Sequence, residues 1–100
     1  MTIKNMTSKD LFRDYGALTF AEVLKGFRVS AEMSQVAFAK KLGVSAANLC
    51  DVEKGRKIPS AKRAAHFASR LGIPEPVLIQ VALQDDLRRQ KIKYKVSIAA

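Results

Sequence analysis

Apolar residues recur along this chain in short bursts of helical spacing, each bounded by a residue suited to start or stop a helix. Phe20, Val23, Leu24 and Phe27 fall on one helical face, preceded by Thr19 as a candidate N-cap with Glu22 in the capping-box position. Ser34 can cap the next segment, Gln35 to Leu42, in which Val36, Ala39 and Leu42 are expected to share a core face while Lys40 and Lys41 point away. Gly43 is the expected stop, because a glycine after the last apolar residue takes the left-handed conformation that satisfies the final carbonyls. Val44 is an apolar linker residue. Ser45 can cap a third helix through Ala46, Ala47, Asn48, Leu49, Cys50, Asp51, Val52, Glu53 and Lys54, and Gly55 ends it. Ser60 can cap a fourth with Ala64, Phe67, Ala68 and Leu71 at helical spacing and Gly72 as its stop. Pro74 or Pro76 opens a fifth carrying Val77, Leu78, Val81, Ala82 and Leu83.

The two ends follow other patterns. Residues 1–17 mix charged, polar and apolar types without a sustained period, and Gly16 interrupts them, although Leu11, Phe12 and Tyr15 can make one turn that packs on the body. They are expected to form a loosely held arm. In residues 88–100, Ile92, Tyr94, Val96 and Ile98 alternate with Lys91, Lys93, Lys95 and Ser97, the period of a strand with one apolar face. A lone strand is not stable, so this tail needs a partner, for which a second copy of itself is one candidate. The alternative is a disordered basic extension that adds phosphate contacts. The expected division is thus an arm at 1–17, a helical domain at 18–87 and a strand-like tail at 88–100, in a chain whose length suits one modest core.

Charge narrows the partner. The formal net charge of +9 favours a polyanion, without choosing among DNA, RNA and anionic lipid. No apolar run is long enough to cross a bilayer, and the first residues lack an apolar stretch with a cleavage site, so a cytoplasmic location is expected. One cysteine, Cys50, and one histidine, His66, provide neither an internal disulfide nor a zinc cluster, and no metal or other cofactor is expected. An enzyme is not expected either, since no nucleophile–base pair, metal set or phosphate-cradling loop is present.

Helices on either side of a tight turn at Gly43 have the layout of a helix-turn-helix. Across this layout the run Met33 to Ser60 resembles the Cro and C1 repressor type of helix-turn-helix, the XRE family. The resemblance is carried by Ser34-Gln35, Phe38-Ala39, Leu42-Gly43-Val44-Ser45, Leu49, Glu53, Gly55 and Pro59, and extends over roughly residues 19 to 83. It implies an all-α, five-helix, lambda-repressor-like domain and a dimeric transcriptional regulator reading a palindromic operator in double-stranded DNA.

The resemblance also implies roles for residues. Gln35 would contact phosphate and a base edge, and Ser45, Ala46, Ala47, Asn48, Cys50 and Asp51 would lie at or near the groove. Alanines can touch a thymine methyl but make no bidentate hydrogen bond, so readout through them is thin. Asp51 can accept from a cytosine amino group or simply be repelled by phosphates, and Asn48 can contact DNA or remain a solvated helix position. Lys54, Arg56 and Lys57, with backbone N–H groups expected free around Gly55, can hold the sugar-phosphate backbone, and Lys40, Lys41, Lys62 and Arg63 can extend the patch. A solvated basic face is the alternative. Val36, Ala39, Leu42, Val44, Leu49 and Val52 should form the core between the two helices, and Arg28 is the implied partner of Glu53 in a structural ion pair. Dimer contacts are expected from Val77, Leu78 and Val81 or from the tail. A second function fits the same residues: an antitoxin that neutralises a toxin protein and represses its own operon.

Overall fold

Each of the first four helices starts where a side-chain oxygen satisfies an otherwise unpaired amide, as helix N-termini require. The computed structural model describes residues 2–3 and 18–98, and of residues 2–3 only the backbone. Helix α1 (Phe20–Ser30) follows Thr19, whose Oγ1 accepts from the Glu22 amide at 3.1 Å while Glu22 Oε1 accepts from the Thr19 amide at 2.9 Å. Helices α2 (Gln35–Leu42), α3 (Ala46–Glu53) and α4 (Ala61–Leu71) are capped by Ser34, Ser45 and Ser60, whose hydroxyls accept from Ala37, Asn48 and Arg63 at 3.1, 3.0 and 3.2 Å. Gly43, at φ 78°, closes α2 in the left-handed conformation and aims the chain into α3. Helix α5 (Glu75–Arg89) follows Pro74 without a side-chain cap and continues past residue 87, the expected end of the helical domain.

These five helices make an all-α fold. Phe20, Leu24, Phe38, Leu42, Leu49, Phe67 and Leu78 are fully buried at its centre, with the rings of Phe20 and Phe67 6.4 Å apart. Helix α5 packs along α4 and also touches α1, while α3 is held between α1 and α2.

Two expectations about apolar residues are corrected. Val36 does not join the core but is 68% exposed. The inward stripe of α2 is half-buried Gln35 with buried Phe38, Ala39 and Leu42, the i, i+3, i+4, i+7 set, and Val36 lies to one side of it. Leu78 and Val81 are buried in the monomer, at 0% and 1% exposure, and are not available as a dimer surface.

The tail departs from the simple alternating strand. Among the described residues of the tail, only Val96–Ser97 (β2) is in a ladder, pairing antiparallel with Thr2–Ile3 (β1), so its partner is a segment near the start of the same chain. Ile92 and Tyr94 are exposed, whereas Val96 is buried, so the expected single apolar face is not kept. The reason lies in α5: Gln84 Oε1 accepts from the Val96 amide and Gln84 Nε2 donates to the Tyr94 carbonyl, both at 2.8 Å. One side-chain amide thus satisfies the tail as a neighbouring strand would. The remainder of the arm, including the turn expected at Leu11, Phe12 and Tyr15, lies outside the described residues.

Candidate nucleic-acid interface

The α2–turn–α3 unit is fixed by apolar contacts and, at the end of the same inward face, by a buried polar cluster. The Val44 amide donates to the Ala39 carbonyl at 3.0 Å, and the Val44 side chain packs partly against the core, so the turn is short and anchored. On α3, Ala46, Leu49 and Val52 face inward, and Glu53 falls in the same stripe with a side chain only 3% exposed. A buried carboxylate needs compensating donors. Arg28 supplies two, Nε to Oε2 at 2.8 Å and Nη2 to Oε1 at 3.1 Å, and Gln35 Nε2 donates a third at 3.1 Å. The guanidinium also donates from Nη1 to the Met33 carbonyl at 3.1 Å. The cluster therefore joins the end of α1, the start of α2 and the end of α3.

The opposite side of α3 is the more open one. Ala47, Cys50, Asp51 and Lys54 share it at i, i+3, i+4 and i+7 spacing, with Ala47 and Lys54 exposed and Cys50 and Asp51 half-buried. Ala46, expected at the groove, packs partly against the core instead. Ser45 is exposed at the helix start. Asn48 is half-buried and turns toward the following loop, where it lines a shallow hollow with Lys57, Pro59 and Arg63.

The loop after α3 is built differently from its expectation. The amides of Lys54, Gly55 and Arg56 are not free, since they donate to the carbonyls of Cys50, Val52 and Asp51 at 2.9, 3.0 and 2.9 Å. These three amides are therefore not available to an anion. Gly55, at φ 75°, makes the turn, and its carbonyl accepts from Arg89 Nη2 at the far end of α5. Arg56 Nη1 lies 3.1 Å from Asp51 Oδ1 and Lys57 Nζ 3.9 Å from Asp51 Oδ2, with both basic side chains about 60% exposed. Arg63 is exposed and sits over the ring of Phe67, 5.7 Å from its centroid.

The electrostatics of this side follow from composition. Between Met33 and Pro74 the only carboxylates are Asp51 and Glu53, against Lys40, Lys41, Lys54, Arg56, Lys57, Lys62, Arg63 and Arg70. With Glu53 buried and paired, Asp51 is the only solvent-facing acid across the three middle helices. His66 is exposed on α4 beside Phe67.

The site draws on residues that an apolar pattern does not mark. Arg89 braces the loop, and Asp85, 3% exposed, accepts from the Phe20 amide at 2.9 Å and so fixes the start of α1. Asp85 lies seven residues after Leu78 on the buried stripe of α5, and Glu53 seven after Ala46 on that of α3. A polar residue seven positions after the first residue of an inward apolar stripe is the available sequence signal.

No helix among the described residues is long and apolar enough to cross a membrane. Searches of curated proteins and of solved structures gave no match. A family model for the helix-turn-helix domain matches residues 19–79, from the cap of α1 into α5, and the chain belongs to that helix-turn-helix family.

Proposed function

We propose that the chain is a sequence-specific, double-stranded-DNA-binding transcriptional regulator of the Cro/C1 type, acting as a dimeric repressor that reads the major groove with residues 45–54. The observation that carries this is the outward face of α3, held at a set angle by the Arg28–Glu53–Gln35 cluster beside a cationic rim. A helix with its side chains is about 10–12 Å across and the major groove is about 12 Å wide, so α3 can lie in it. Ala47 is suited to a thymine methyl and Lys54 to a guanine edge or phosphate. Ser45, exposed at the start of α3, is proposed to meet phosphate, and Gln35, whose side-chain amide donates to Glu53, is proposed to do so only through its remaining amide hydrogen. Lys54, Arg56 and Lys57 neutralise the backbone alongside.

One such helix reads few base pairs, and a two-fold dimer places a second copy about 34 Å away on the same face of the duplex. Exposed Ile92 and Tyr94 are apolar surface outside the core and are the proposed contribution of the tail to that dimer. The test is selection of bound duplexes from a randomised library with the full chain. Enrichment of a palindrome with half-sites about one helical turn apart is expected. Binding without any sequence preference would reduce the chain to a nonspecific DNA binder, and no binding at low salt would remove DNA as its partner.

A further inference from the structure

We infer that Asp51 is a selectivity filter: its carboxylate opposes binding to indiscriminate duplex and tolerates the groove only where a cytosine amino group meets it. This rests on the proposed DNA-binding role of α3. Asp51 sits mid-way along the outward face, between Ala47 and Lys54, on a surface whose other solvent-facing charges are all positive. An acid in that position lowers affinity for a polyanion unless something specific offsets it.

The offset differs between the free and bound states. In the free protein Arg56 and Lys57 neutralise the carboxylate at 3.1 and 3.9 Å. In the bound state phosphates compete for the same cations. Asp51 is then left facing base edges with its countercharges shared, and needs a donor from the groove. Cytosine and adenine are the bases that present an amino group in the major groove. The adenine amino group lies between two acceptors, its own N7 and the O4 of the paired thymine, and both repel a carboxylate. The cytosine amino group lies at the end of its row, with an acceptor on one side only. The filter therefore selects cytosine.

The experiment compares the full-length wild type with D51A and D51N, by selection from a randomised duplex library and by titration of a random-sequence duplex across a salt series. Both variants are expected to bind the random duplex about fivefold more tightly, the effect of removing one charge some 4 Å from another in a watery medium. Their salt dependence should steepen by up to about one phosphate equivalent, because Arg56 and Lys57 are released. The selected site should lose a cytosine at one position per half-site in D51A, with the other positions kept. D51N changes the charge while keeping size and one acceptor, so it isolates the electrostatic part should D51A fold poorly. If D51A and D51N select the wild-type sequence and bind random duplex no more tightly, the filter is overturned while the DNA-binding role stands. If the wild type itself binds no duplex, the parent reading fails first.

Discussion

Replacing Glu53 with alanine tests whether the orientation of α3 depends on the buried polar cluster. The carboxylate is 3% exposed and receives three hydrogen bonds, two from Arg28 and one from Gln35. Arg28 is itself 16% exposed, so without Glu53 its guanidinium keeps only the Met33 carbonyl among these partners and is too enclosed to be fully rehydrated. Breaking one half of a buried pair costs about 3–5 kcal/mol, and the residual exposure of Arg28 places this site near the lower end. Against a total stability of roughly 5–15 kcal/mol for a single domain, that is a large fraction. At about 4–8 °C per kcal/mol for a domain of this size, E53A should lower Tm by about 12 °C or more. E53Q preserves shape and one acceptor oxygen and should lose about half as much, in line with a charged hydrogen bond becoming neutral. The double variant R28M/E53L, which removes both charges and retains volume, should be more stable than E53A. The assay is urea and thermal unfolding followed by far-ultraviolet circular dichroism. A cost below about 1 kcal/mol for E53A, or a double variant less stable than E53A, would refute the assignment of the cluster as the brace of α3.

The remaining predictions concern charge, a buried cap and pH. Arg56 and Lys57 are exposed beside α3, so R56A/K57A should weaken binding to every duplex and flatten the log–log salt slope by about 0.9 per lost phosphate contact; an unchanged slope in fluorescence anisotropy titrations excludes these residues from the interface. Asp85 accepts from the buried Phe20 amide, and D85A should cost about 1–3 kcal/mol by leaving that amide unpaired, with part of the loss recovered in D85N; a urea midpoint equal to wild type would show that the α1 start needs no cap from α5. The Glu22 carboxyl is held below its ordinary value of 4.5, chiefly by the Thr19 backbone N–H and next by its hydroxyl. Because the folded value is the lower one, the stabilisation is present at neutral pH and fades as pH falls from 4.5 through the folded value. E22Q should therefore be less stable than wild type near neutrality, with a gap that closes in acid, and a gap that stays constant down the acid limb would contradict the linkage.

Much of the site was legible because its determinants are local. Ser34, Ser45 and Ser60 cap helices through amides three residues ahead, and Gly43 takes a positive φ that other residues adopt only with strain, so the boundaries of the two-helix unit follow from neighbours along the chain. The basic loop after α3 is legible from composition for the same reason. Whether its backbone amides were free was not, because the carbonyls that take them up are supplied by the particular way α3 ends.

What sequence alone determined about this protein is therefore the number of helices among the described residues, the capped starts of the first four, the helix-turn-helix layout and the cationic character of one side. Tertiary structure decided which residues of each helix are turned inward. Helix α2 offers Val36 and Gln35 at adjacent angles, and packing against α3 and α4 places the glutamine over the core edge and the valine in solvent. It also decided that the tail closes on its own chain, since Gln84 and the first residues come together only once α5 has folded back along α4. The physical reason is the same in each case: caps and turns are satisfied by partners within a few residues, whereas burial and side-chain pairing depend on elements far apart in sequence that meet only when the core forms.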